Sequence, residues 1–215
     1  RGVDDLTQIP INPHLFEYFA KSLYESWFVK FDFIKNRPVF NNKSSIEEFF
    51  PERLVDSELG KIPEGWGVGE IGQFVKMVGG GTPSTSKPEY WGGENAWISP
   101  KEIANNKLPI IVESEKTITN EGLSKIPSGL LPINSAILSS RAPIGYCSIT
   151  KIPLAINQGF IAFHSEGTWS GAYMLNWCRA NLPTIESFAG GSTFPEIGKK
   201  SLQRIPCLVP PLELI

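Results

Sequence analysis

Gly60-Lys61-Ile62-Pro63-Glu64-Gly65-Trp66 divides this 215-residue chain into two patterns. Upstream the apolar residues recur at helical spacing. Downstream the spacing shortens to β-like runs punctuated by glycine and proline. Those runs are Ile71–Val78, Ala136–Ser140, Cys147–Lys151 and Gly159–His164, the last rich in Phe and Ile. Between them stand Gly79-Gly80-Gly81-Thr82-Pro83, Tyr90-Trp91-Gly92-Gly93, Ser139-Ser140-Arg141-Ala142-Pro143-Ile144-Gly145, Asn157-Gln158-Gly159-Phe160 and Gly190-Gly191-Ser192-Thr193-Phe194. With 20 Gly and 18 Pro and no fixed period, many turns between short strands explain the composition better than a low-complexity or collagenous chain. The expected class is α+β: a β-rich domain with a few helices, preceded by a helical segment.

Working upstream, Asn12 can cap a helix, and Pro13 suits its first turn because the missing N–H costs nothing there. Leu15, Phe16, Phe19, Leu23, Trp27 and Phe28 follow at helical spacing, opposite Glu17, Lys21 and Glu25. A helix over 12–28 is predicted, with an aromatic stripe wide enough to need a partner, either its own domain or another long helix. Residues 35–59 read as a connector, in which Ser44 and Glu47 form a capping box before a short Ile46–Phe50 helix that Pro51 stops. Farther along, a helix is predicted at about 170–181, capped by Ser170 and lined by Tyr173, Met174, Trp177 and Cys178. A short one is predicted around Gly198–Arg204. The expected organisation is a helical segment to residue 34, a connector over 35–59, a domain over 60–208, and the start of a further element at 209–215.

The net charge is −2. Residues 1–60 hold seven Lys/Arg against ten Asp/Glu, leaving thirteen against twelve for residues 61–215. Attraction to phosphate would therefore need a local patch. Cys147, Cys178 and Cys207 are too few and scattered for a disulfide framework and form no C-x-x-C pair, which fits a reducing compartment and argues against structural zinc. No apolar run approaches 18 residues and no signal-peptide pattern occurs, so a soluble, cytoplasmic protein is expected. The chain begins at Arg1 rather than methionine and is expected to be part of something longer.

The groups an enzyme needs are hard to find. There are two histidines, His14 and His164, and no Gly-x-Ser-x-Gly elbow. Asp56, Glu58 and Lys61 lack the spacing of a metal-nuclease trio. The Gly79–Ser86 loop lacks the Lys-Ser/Thr ending of a phosphate-binding loop, and Lys87-Pro88 opposes the helix start such a loop requires. Neither a dinucleotide fingerprint nor the Asn/Asp-Pro-Pro-aromatic tetrad of amino-methyltransferases occurs. A non-catalytic protein is expected.

In this order along the chain, the motifs resemble the specificity subunit of type I restriction-modification systems. Gly60–Trp66 looks like the opening signature of that family's target recognition domain. Gly80–Pro83, Tyr90–Gly93, Trp97-Ile98-Ser99, Ile118–Gly122, Ser139–Gly145, Asn157–Phe160 and Gly191–Phe194 follow in the family's sequence. Ala20–Asp32 is similar to the end of a helical conserved region, and Pro210-Pro211-Leu212 to the start of another, although Leu214 stands where the family tends to carry Glu. The resemblance implies one recognition domain that reads half of a bipartite double-stranded DNA target in the major groove. Its helical segment would pack through Phe16, Phe19, Leu23 and Trp27. It further implies docking to methyltransferase (modification) subunits and to a restriction/translocase subunit, or self-association if the gene product is a half subunit. S-adenosylmethionine, ATP and Mg would belong to those partners, leaving no cofactor on this chain.

A recognition domain holds loops rigidly so that a few side chains reach base edges and others reach phosphates. On that reading most of the glycines are scaffolding, and polar residues at loop tips are the candidate contacts. Thr82, Ser84, Thr85 and Lys87 form one such set, and Lys101, Asn105 and Lys107 another, with Asn suited to adenine and Lys to guanine or phosphate. Arg141 is a third candidate, with a structural hydrogen-bond role equally open to it, and Lys199 beside Ser192 and Thr193 a fourth. Trp66, Trp91, Trp97 and Trp177 read as core or loop anchors. The alternative from another class is a β-rich carbohydrate-binding module, which would use those rings as exposed platforms.

Overall fold

The computed structural model describes residues 12–35, 49–104, 106, 108–141, 143–166, 168–191 and 193–215. Asn12 Oδ1 accepts the His14 N–H at 3.0 Å, and Pro13 opens helix α1 (Pro13–Tyr24) as predicted. The helix widens into a π-type turn over Glu25–Lys30 and stops at Phe31, whose φ of 54° is left-handed; α2 (Asp32–Lys35) follows. The predicted apolar stripe divides. Leu15, Phe16, Phe19 and Leu23 stay half or more exposed, whereas Tyr24 is buried against Tyr173 with ring centroids 5.3 Å apart. Phe28 lies 5.2 Å from Tyr173 and 5.9 Å from Trp66. Trp27 packs on Phe50 at 5.0 Å. The change of helical pitch at Glu25 turns these last rings inward, away from the line continued by Leu23.

The Gly60–Trp66 signature is the seat for that helix. Strands β1 (Leu54–Ser57) and β2 (Gly60–Pro63) form an antiparallel hairpin turning on Glu58-Leu59, and Gly60 takes the φ of 88° that closes it. Residue 60 opens the second strand of that hairpin. Its cross-strand pair Asp56–Lys61 is an exposed ion pair at 2.9 Å, which accounts for two members of the trio considered above. Trp66, next in line, is buried among Phe28, Phe31 and Phe50. The expected 44–50 capping box and helix lie, apart from Phe49 and Phe50, outside the described residues.

The chain continues through β3 (Gly67–Glu70), β4 (Met77–Gly79), β5 (Trp91–Ile98), α3 (Pro100–Ile103), β6 (Ile110–Ile111), β7 (Lys116–Ile118) and α4 (Asn120–Leu123). Then come β8 (Ala136–Ser140), β9 (Ile144–Thr150), β10 (Ala155–Ile156), β11 (Phe160–Phe163), α5 (Gly171–Ala180), α6 (Leu182–Ser187), α7 (Lys199–Gln203) and β12 (Pro206–Val209). Where a strand was predicted over Ile71–Val78, Ile71–Gln73 instead form a 3-10 turn closed by a reciprocal Glu70/Gln73 capping box, and only β4 is extended. Ser170 Oγ accepts the Tyr173 N–H at 3.1 Å and starts α5 as expected. Pro183 sits in the first turn of α6 rather than in a loop beyond α5.

A five-stranded sheet runs β4-β11-β8-β9-β6, antiparallel except for the β9–β6 pair. A three-stranded sheet runs β10-β5-β7, and β12 pairs with β3. Strands β8 and β11 are buried at every residue, so their side chains are apolar on both faces except Ser139 and Ser140 at the end of β8. Ala136, Leu138, Ile161 and Phe163 join Trp169, Tyr173, Met174 and Trp177 in a core beneath α5. Ile137, Phe160 and Ala162, on the opposite face, meet Ile98, Ile111, Leu154 and Ile156. The result is a layer of helices, a five-stranded sheet, and the smaller sheet beyond it. The mixture of helices and sheets is the α+β class the sequence predicts.

Candidate nucleic-acid interface

Four chain segments far apart in sequence meet where β10 and β11 are joined. Gly80 lies against this junction, and a Cβ there would sit 2.2 Å from Ile156 O and 2.3 Å from Asn157 O. The next amide, Gly81 N–H, donates to Ile156 O at 2.8 Å, and the Gly81 carbonyl accepts from Trp97 Nε1 at 3.0 Å. Trp91 Nε1 donates to Ser84 O at 3.2 Å. The Thr82–Lys87 loop is therefore anchored by two indoles and one strand junction. On the other side, a Cβ at Gly159 would lie 3.0 Å from Pro100 Cγ and 3.7 Å from Arg141 Nε. The start of α3 and Arg141 thus flank the same Asn157–Gly159 turn.

Of the residues singled out from sequence, Thr82 and Arg141 are gathered around this turn, and Pro100, the residue before Lys101, touches it. Thr82 is exposed, yet its hydroxyl is engaged: Asn157 Nδ2 donates to it at 2.6 Å, and it donates in turn to Gln158 Oε1. Ser84 shares a hydroxyl–hydroxyl bond of 2.8 Å with Ser86, and Thr85 is exposed between them. Lys87 closes the loop with its ammonium 3.2 Å from Tyr90 Oη and 5.1 Å from that ring's centre. The hydrogen bond to Tyr90 raises the Lys87 pKa, and the charges on Tyr90, Glu89 and Glu121 act in the same direction, so this side chain is a cation at every ordinary pH. Lys101 lies exposed on α3, whose start is fixed by the Ser99/Glu102 capping box. Asn105 and Lys107 lie outside the described residues.

Arg141 is half-committed. Its guanidinium stands 3.6 Å from the Glu196 carboxylate, and its backbone forms a β-bridge to the same residue. Its neighbours Ser139 and Ser140 are buried; Ser139 Oγ donates to Pro143 O and accepts the Tyr146 N–H, both at 2.8 Å, so it shapes the corner rather than facing outward. Lys199 opens α7 two residues beyond Ile197, whose N–H donates to Ser140 O at 3.0 Å. Gln158 was not among the sequence candidates, although an Asn-Gln amide pair at a turn was a usable signal. Phe194 was quoted only as part of a motif; it is 83 % exposed on the loop bridged by Gly190 and Glu196.

Trp66, Trp97, Trp169 and Trp177 are buried, and the partly exposed Trp91 rests edge-on against Trp97 at 5.1 Å. A carbohydrate platform needs flat exposed rings, and these indoles are spent inside the fold. Among the described residues, no group of three His, Cys, Asp or Glu could hold a metal ion, and no helix is long and apolar enough to cross a membrane.

A layered scaffold thus brings three chain segments against the Asn157–Gly159 turn, and loops held on a rigid scaffold are where binding residues concentrate. The family model described as "Type I restriction modification DNA specificity domain" matches residues 63–214, and the chain belongs to that family. The specificity subunit of type I restriction enzyme MjaIX from Methanocaldococcus jannaschii is 38% identical over 152 residues, covering 70% of this chain and 35% of that protein. The EcoR124I/EcoR124II specificity subunit of Escherichia coli is 32% identical over 123 residues, 55% of this chain and 29% of that protein. The crystal structure of the HsdS subunit from Thermoanaerobacter tengcongensis superposes with a TM-score of 0.58 at 17% identity, over 94% of this chain and 46% of that one, a likeness of fold. The chain spans about a third of the length of the curated relatives it matches.

Proposed function

We propose that this chain is a target recognition domain that reads one half of a bipartite double-stranded DNA sequence through the loops gathered at Asn157–Gly159. The observation that carries the reading is the family match over residues 63–214. The convergence of the Thr82 loop, the start of α3 and Arg141 on one turn supports it, because base readout requires side chains held in fixed register. In this reading the chain performs no chemistry. It positions methyltransferase subunits and a restriction/translocase subunit, which carry S-adenosylmethionine, ATP and Mg, and it works in the cytoplasm.

The α1 face of Leu15, Phe16, Phe19 and Leu23 is the docking stripe in this proposal. Four large apolar side chains on one helical face, each about half exposed or more, form a contiguous patch of the kind covered by another helix. Its partner is a second helical region, of another subunit or of a second copy. Trp27, expected in the same set, belongs to the seat of the helix on its own domain. The functional test is methylome sequencing of cells expressing the complete complex with this chain. Modification at a bipartite motif, one half of which changes when residues 80–87 and 157–159 are exchanged for those of a relative, is the expected result. A methylome indifferent to that exchange sinks the reading.

A further inference from the structure

Gln158 is an exposed loop side chain joined to its neighbours by a short relay of hydrogen bonds. The chain of reasoning starts at a backbone group, which has no freedom of assignment. Gly159 N–H donates to the Asn157 side chain at 2.7 Å, so the atom facing it is the acceptor Oδ1. The Asn157 Nδ2 must then face Thr82 Oγ1, 2.6 Å away, as a donor. Thr82 Oγ1 accepts that hydrogen bond and donates its own hydrogen to Gln158 Oε1. The Gln158 amide is turned with its oxygen inward on Thr82, which leaves its Nε2 outward. The two ends of a glutamine amide are told apart by the hydrogen bonds they make. Here one backbone N–H orients the Asn157 amide, and the Thr82 hydroxyl links that amide to Gln158.

The outward Nε2 carries two N–H donors on an exposed side chain. Arg141, whose Nε lies 3.7 Å from the Cβ position of adjacent Gly159, offers only donors as well. Gly80, Gly81 and the Trp97 indole fix the Thr82 side of the arrangement, so the amide is held by packed elements and not by a free loop. We propose that Gln158 is a contact residue of this domain that donates to an acceptor-only group on DNA, and that Thr82 is its positioning residue and not itself a contact. The acceptor is a phosphodiester oxygen or the O6/N7 edge of a guanine, which present the same chemistry to an amide N–H. The inference rests on the DNA-binding reading above.

Four single variants test it by fluorescence anisotropy on duplexes carrying the methylome-defined target, with thermal melting as the folding control. Gln158→Glu keeps the oxygen that Thr82 holds and replaces the outward donor by an acceptor. It should lose roughly tenfold or more in affinity with an unchanged melting temperature. Thr82→Val should lose affinity in part, and Thr82→Ser should keep it, because the hydroxyl is what matters. In the 1H–15N spectrum, Thr82→Val should also shift the Gln158 side-chain amide pair with no DNA present, a signature that Pro83→Ala should lack. Substituting 7-deazaguanine separates the two sources: sensitivity at one guanine identifies a base contact, and equal loss on every sequence identifies a phosphate. If the chain binds its target and Gln158→Glu binds equally well, or if the amide pair does not move in Thr82→Val, this inference is overturned while the DNA reading stands. Target DNA left unbound by the unaltered chain overturns the DNA reading, and the contact with it.

Discussion

Arg179 on α5 donates from Nη2 to Glu17 Oε1 on α1 at 2.8 Å, joining two helices 162 residues apart in sequence. Both side chains are about a quarter exposed, and the pair sits beyond the aromatic seat of Tyr24, Phe28 and Tyr173. The rings hold the C-terminal turn of α1, and the ion pair ties the half of α1 that carries Leu15, Phe16 and Phe19 to α5.

A double-mutant cycle of Glu17→Gln and Arg179→Met should give a coupling of about 1 kcal/mol in chemical denaturation, since the pair is partly screened by solvent. The larger effect should be on assembly. Each variant should weaken capture of the partner helical region more than it lowers stability. Light scattering of Phe19→Asp, which removes apolar surface from the stripe itself, sets the scale for complete loss. Equal association of the unaltered chain, Phe19→Asp and Arg179→Met would remove the docking role of α1.

The seat itself offers a sharper stability test. Trp66→Ala removes a buried ring contacted by Phe28, Phe31 and Phe50 and should cost about 3–5 kcal/mol. Phe16→Ala, on the exposed side of the same helix, should fall within about 0.5 kcal/mol of the parent. Urea denaturation of the two variants checks the contrast.

These contrasts mark what the residue pattern discloses. Asn12-Pro13 and Ser170 were legible as helix starts because capping is local chemistry. Ala136–Ser140 was legible because it is a short apolar run flanked by turn residues. Strand β5 was not: Trp91-Gly92-Gly93-Glu94-Asn95 has weak β propensity, and its pairing with β7 skips from Trp91 to Asn95, an irregularity no periodicity reveals. The division of the first helix into an exposed stripe and an inward cluster was also hidden, because it depends on a change of helical pitch at Glu25. At the candidate interface, residue type and loop position singled out Thr82 and Arg141, which the structure brings to the Asn157–Gly159 turn. The sequence could not show that Thr82 spends its hydroxyl on Gln158, since the two are 76 positions apart.

Gly80→Ala should disrupt the interface more than the composition of the loop suggests. The added methyl meets two backbone oxygens, those of Ile156 and Asn157, which cannot swing aside as a side chain would. A loss of about 1–3 kcal/mol is expected. The Gln158 amide resonances should shift as the Asn157 turn is pushed away. Gly79→Ala, with open space around its Cβ position, is the matched control.

Alkaline pH should weaken the fold through its buried thiols. Burial pushes the Cys207 pKa up to about 12 and raises that of Cys178 well above its ordinary value. In the unfolded chain a thiol ionises near pH ~8.5. Between that pH and about 12 the unfolded state releases a proton that folded Cys207 retains, so stability is intact below the unfolded value and falls as pH rises through the window. Melting temperatures from pH 8 to 10, compared between the parent and Cys207→Ala, should show a shallower decline in the variant. Parallel curves would mean that Cys207 does not carry the alkaline lability.

The cations around the candidate interface should differ in how they respond to salt. Among the described residues, Lys87 has no carboxylate within ion-pair distance, while Arg141 stands 3.6 Å from Glu196. Lys87→Ala should therefore weaken binding similarly on all sequences and lower the slope of log affinity against log salt by about one phosphate contact. Arg141→Ala removes a donor and also frees the Glu196 carboxylate to repel the backbone, so its loss at low salt should exceed that of Lys87→Ala. Adding Glu196→Gln to Arg141→Ala should restore part of the affinity, because the repulsion is then gone. An anisotropy titration of the four proteins across a salt series reads all three effects. Identical losses for Arg141→Ala with and without Glu196→Gln would show that the carboxylate faces away from the DNA, and Arg141 would then be a structural strut of the Gly190–Glu196 bridge.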